Sequence, residues 1–179
     1  MFQTGDRILF STTLPFQPLP EAIKFILGSK YHHSGVMGKK ADGWKIYESI
    51  MSGINRTHAL DYANHYKVQV ARIPGANTPE SIPILDSLVG IVKYDYMSLL
   101  VYLPILIGTK YWVGRTEEKA WKRMVCMEFD EWYYNQILGI YPYWYGMNSI
   151  EFIEDKRFTD HIIFEDSMKN FKKELVKSK

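Results

Sequence analysis

"HSGVMGKKADGWKIYES", residues 33–49, holds two β-like runs, HSGVMG and WKIYES, joined by KKAD and bracketed by Gly38 and Gly43. Such runs around a glycine-marked connection predict an antiparallel hairpin. With Gly38 set opposite Gly43, Glu48 falls opposite His33, and opposed residues share a face with β-carbons about 4.5–5.5 Å apart. A register shifted by two residues keeps both on that face, because side chains alternate with period two. A carboxylate beside an imidazole fixes its tautomer and raises its basicity, as the third member of a catalytic triad does. The same geometry also serves as an ordinary cross-strand polar pair, so the hairpin alone leaves both readings open. His32 points to the other face.

Outward from the hairpin, the chain alternates elements without an internal repeat or a Ser/Gly-rich linker. RILFS at 7–11 follows the Gly5-Asp6 turn signal as a strand, and LPEAIKFILG at 19–28 reads as a helix with Pro20 near its start and Gly28 as its stop. KVQVARI at 67–73 adds a strand, and Thr78-Pro79-Glu80 opens a helix running toward Gly90. The apolar segment YMSLLVYLPILIG at 96–108 reads as a buried or interfacial helix capped by Asp95. A helical pattern runs from Thr116 to Gly139, and NSIEFIED begins a later short helix. The expected class is α+β, an antiparallel sheet packed against helices.

Length and composition narrow the function. A chain of 179 residues, 46% hydrophobic and 23% charged, is expected to form a single domain over 1–179, with the Lys-rich tail frayed from about 167. Aromatic residues make up 15%, an excess that suits sugar, lipid or peptide contact but chiefly fills cores. A net charge of +2 without a clustered basic face argues against a nucleic-acid partner. The apolar segment is thirteen residues long and carries Pro104, short of the roughly 20 residues a span needs, so no transmembrane span is expected and membrane-surface contact stays open. The N-terminus lacks a signal-peptide pattern, which points to a cytoplasmic location.

Cys126 is the only cysteine, which excludes an intramolecular disulfide and a zinc site built on cysteines. A thiol near a helix N-terminus and a histidine becomes a nucleophile, because both favour the thiolate; elsewhere a lone cysteine is a small core residue. No Pro or Gly separates Thr116 from Leu138, so the pattern allows one helix with Cys126 in its middle. Nucleophilic chemistry requires instead that the helix begin close to Cys126, where N–H groups are uncommitted. A metal site on His32, His33, His58, His65 and Cys126 is disfavoured, since adjacent strand histidines face opposite sides. No metal or cofactor is expected.

GDRILF at 5–10, HHSGVM at 32–37, IYESI at 46–50, KYDYMSLL at 93–100 and VCMEF at 125–129, in this order, resemble the circularly permuted NlpC-type papain-like family, the branch of YiiX-like and lecithin:retinol acyltransferase-like proteins. The likeness spans about residues 5–165. It implies a permuted papain-like fold with His33 as general base, Glu48 as the residue that orients it, and Cys126 as nucleophile. The implied function is a cysteine hydrolase or acyltransferase that cleaves an amide or ester through a covalent acyl-enzyme, its substrate a small molecule, a cell-wall peptide or a lipid acyl group. The Cys126 N–H would bind the oxyanion, with Tyr31 or Tyr94 as further substrate or oxyanion contacts. Met127 replaces the serine of the family's C-S-E motif, and Ser34 stands where an apolar residue is commoner; these departures keep an inactive binding protein of the same fold as the alternative. The oligomeric state is not legible in the sequence.

Overall fold

The computed structural model describes residues 1–96, 122–139 and 161–178. Six strands, β1 (Arg7–Thr12), β2 (His33–Lys40), β3 (Gly43–Ile50), β4 (Gly53–His58), β5 (Tyr66–Ala71) and β8 (Ile162–Ser167), form one antiparallel sheet in the order β4-β3-β2-β1-β5-β8. Two short strands, β6 (Lys93–Tyr94) and β7 (Arg123–Met124), pair in parallel. The described helices are α1 (Pro18–Leu27), α2 (Ser81–Leu88), α3 (Cys126–Leu138) and α4 (Met168–Lys177). The α+β expectation therefore holds. None of the described helices is long and apolar enough to cross a membrane. The expected helices over 96–108 and from 148 lie outside the described residues, apart from Tyr96.

Alternation along the strands gives the sheet two apolar faces. On one, Val36 and Tyr47 pack with Leu85 of α2 and with Phe129 and Tyr133 of α3. On the other, Ile8, Met37, Ile46 and Val68 pack with Met168, Phe171 and Leu175 of α4. The tail is thus a docked helix and not a frayed end. Its lysines hide an apolar stripe at i, i+3 and i+7, and the Ser167 hydroxyl caps it by accepting from the Asn170 N–H.

The hairpin forms with a register two residues from the glycine-symmetric one: Val36 opposes Tyr47 and Lys40 opposes Gly43. The turn is the two-residue Ala41-Asp42, and Gly43, at φ 119°, takes the first position of β3. Gly38 is not a turn glycine at all. A β-carbon there would stand 2.7 Å from the Tyr47 ring and 2.8 Å from Ile82 Cδ1, so packing excludes a side chain. The register carried one step further sets Glu48 across from Gly35. Because the shift is two residues, His33 and Glu48 still share a face.

Candidate active site

His33 opens β2, opposite Phe10 of β1, whose ring lies 5.6 Å from the imidazole at a 35° tilt. Glu48, almost fully buried in β3, places Oε2 2.7 Å from His33 Nε2. The carboxylate crosses diagonally to reach it, over Gly35, which puts no side chain in the way. The adjacent residue, Ser49, faces the opposite side and donates its hydroxyl to the Met124 carbonyl at 2.6 Å. Two consecutive residues of β3 therefore hold the imidazole and the backbone just ahead of Cys126. The rest of the link runs from Ile54 in β4, whose N–H donates to the Val92 carbonyl at 2.8 Å, through the β6–β7 pair.

α3 begins at Cys126. The turn and strand at 122–124 exclude a single helix from 116 to 138. Val125 is the extended residue before the helix, with φ −86° and ψ 171°, and has no side-chain oxygen to cap the first N–H groups. Glu128 supplies the half of a capping box that is present, its Oε2 accepting from the Val125 N–H at 2.9 Å. Cys126 is partly exposed and stands close enough to His33 to act on the charge of its ring. With Nε2 committed to Glu48, the nitrogen left for the thiol is Nδ1. Burial opposes charge on His33, but the hydrogen bonds and negative charges of Cys126 and Glu48 outweigh it and push the imidazolium up to about 10.

His32, one residue earlier, behaves in the opposite sense. Its partly buried ring lies against Tyr66, centroids 6.5 Å apart, and burial, with the charges of His33 and Lys24, pushes it down to about 4. Tyr94 stands beside Cys126 and Glu128, and burial followed by their charges drives its hydroxyl above the usual tyrosine range. Tyr31 belongs to a different network, because its hydroxyl donates to Glu165 Oε1 of β8 at 3.0 Å. Glu165 also takes Lys30 and Gln69, so the Tyr31 donor is committed away from an oxyanion.

Several contributors escape a reading of the sequence. Tyr62 donates its hydroxyl to Glu48 Oε1, and Thr57 Oγ1 lies 3.4 Å from the same oxygen. Both depend on β4 and the turn after it, which carry no local signal for the hairpin at 33–49. A buried ion pair, Arg7 Nε to Asp130 Oδ2 at 3.1 Å, ties β1 to α3. Ser34, buried on β2, lies near Asp130, and its hydroxyl makes no hydrogen bond there.

The other candidate metal ligands are dispersed. His58 Nε2 meets the Asp42 carbonyl at 3.1 Å and its Nδ1 accepts from Leu60, while His65 packs on Tyr66 with centroids 4.4 Å apart. Among the described residues, no three His, Cys, Asp or Glu side chains converge in a way that could hold a metal ion.

No family model matches the chain, and no curated protein matches it in sequence. Among solved structures it is similar to the metalloprotein YiiX from Escherichia coli O157:H7, with a TM-score of 0.55 and 18% identity over 92% of this chain and 87% of that one. At that identity the likeness is one of architecture: the chain has a YiiX-like fold.

Proposed function

We propose that the protein is a thiol enzyme of the permuted papain-like type, a cysteine hydrolase or acyltransferase acting on an amide or ester. The observation that carries the reading is the His33 ring set between the buried Glu48 carboxylate and Cys126 at the first position of α3. An imidazolium that keeps its proton favours a thiolate beside it. The thiolate attacks the substrate carbonyl carbon, forming the C–S bond while the carbonyl electrons move to oxygen. The Cys126 N–H, without a side-chain cap, is the donor we assign to that oxygen, and Tyr94, beside Cys126, is the candidate for a second. His33 passes its proton to the leaving amine or alcohol as the C–N or C–O bond breaks. Water, or an acceptor hydroxyl or amine, then gives a proton to His33 and attacks the thioester, restoring the thiolate. Glu48 keeps the imidazole oriented throughout. Cell-wall peptides and lipid acyl groups are the candidate substrates.

Metal chemistry is not carried over from the YiiX neighbour. Glu48 holds His33 through one oxygen and Tyr62 through the other, and among the described residues no three His, Cys, Asp or Glu side chains converge on one ion. The test is alkylation of the full chain with iodoacetamide across pH, followed by trials on thioester and amide substrates. Cys126 should react much faster than free cysteine near neutral pH, and Cys126→Ala should abolish labelling and turnover with the fold intact. Reaction at the free-cysteine rate would leave a binding protein of the same fold.

A further inference from the structure

Glu48 has two carboxylate oxygens, and His33 uses one. The other faces the Tyr62 hydroxyl, and Tyr62 is itself fixed from several sides. Its ring stacks on Phe10 with centroids 5.3 Å apart and planes within 13°, and its carbonyl accepts from Lys172 Nζ of α4. We infer that Tyr62 is a positioning residue: its hydroxyl locks the plane of the Glu48 carboxylate so that Oε2 aims at His33, and α4 holds Tyr62 in place through Lys172. The effect on turnover rests on the thiol-enzyme reading; the positioning itself does not.

The physical case starts from the last torsion of a glutamate, which is broad and roughly two-fold, so one partner leaves the carboxylate free to swing. A donor on the second oxygen makes any rotation break two bonds in a buried place, where an unmet acceptor is costly. Thr57, at 3.4 Å, lies beyond ordinary hydroxyl hydrogen-bond distances and cannot take over. Burial, followed by the Glu48 charge, drives the Tyr62 phenol far above the usual tyrosine range, so it remains a donor throughout any working pH. The groups acting on His33 are Glu48 from β3, Cys126 and Asp130 from α3, and the neighbouring His32; Tyr62 reaches it through Glu48.

The test uses Tyr62→Phe in the full chain, which keeps the ring on Phe10 and removes one oxygen. In imidazole ¹⁵N NMR, the His33 Nε2–H of the parent should be a downfield, slowly exchanging proton, and in Tyr62→Phe it should broaden into exchange with water. Iodoacetamide alkylation of Cys126 near neutral pH should slow by about tenfold, the size of one lost hydrogen bond to a charged group. Lys172→Met, which loosens Tyr62 without touching Glu48, should give an intermediate loss of both signals. The inference is overturned if the variants keep the parent's Nε2–H signal and alkylation profile; should Tyr62→Phe not fold, an unchanged Lys172→Met overturns it alone. A parent protein alkylated at the free-cysteine rate sinks the enzyme reading, while the NMR comparison still decides the role of Tyr62.

Discussion

The two adjacent histidines carry opposite linkages to pH. His33 is raised to about 10 from an ordinary 6.5, so its contribution to stability is complete below 6.5 and is withdrawn as pH climbs through about 10. His32 is lowered to about 4 from the same 6.5, so its contribution is present above 6.5 and is lost as pH falls toward about 4. Urea midpoints measured against pH should therefore decline on both sides, with His33→Ala flattening the alkaline side and His32→Ala making the acid side shallower. Rates should separate the pair as well. His33→Ala is expected to lower turnover or Cys126 alkylation by roughly 10²–10⁴-fold, the usual worth of a general acid–base group. His32→Ala should stay within about tenfold, the loss of one hydrogen bond or its packing equivalent, and Glu48→Gln should fall between. His33 and Glu48 were legible because a two-residue error in register leaves a strand's faces unchanged. Tyr62 was not, since nothing near it in sequence announces which oxygen its hydroxyl will find.

Elements were legible where apolar alternation was clear and obscure where polarity hid the inner face. β1, the β2–β3 hairpin and β5 follow the alternation read from RILFS, HSGVMG, WKIYES and KVQVARI. β4, GINRTH, buries only Gly53 and Ile54, and β8 is an edge strand whose Glu165 and Asp166 are exposed, so neither showed a strand pattern. The start of α3 was hidden because Val125 is no capping residue; the signal available was Glu128 at the third helical position, reaching back. Gly35 carries the element-level prediction. A β-carbon there would sit 2.6 Å from the Tyr47 carbonyl oxygen, 3.2 Å from Ile46 Cγ2 and 3.4 Å from Glu48 Cβ. Gly35→Ala should cost about 1–3 kcal/mol of stability by overpacking. It should also displace Glu48 from the diagonal to His33, so urea titration and the Cys126 alkylation rate should fall together.

For the whole molecule, the helix at the Lys-rich tail closes the sheet face that carries His33 and Glu48. Met168, Phe171 and Leu175 are each no more than 2% exposed, and burying such side chains is worth about 1.5–3 kcal/mol apiece. Together they rival the entire net stability of a typical domain, about 5–15 kcal/mol. Removing residues 168–179 should therefore abolish cooperative unfolding as followed by near-ultraviolet circular dichroism, and a truncated chain with an unchanged midpoint would show that the helix is dispensable. Composition concealed this because a lysine count says nothing about the spacing of the residues between. The separation of parts along the chain also sets an order of events during synthesis. The imidazole and its carboxylate leave the ribosome in one early hairpin, the cysteine follows long afterwards, and the helix that anchors Tyr62 comes later still. A nascent chain thus holds Cys126 apart from its partners until translation has passed all three, and the grouping of thiol, imidazole and carboxylate exists only in the finished fold.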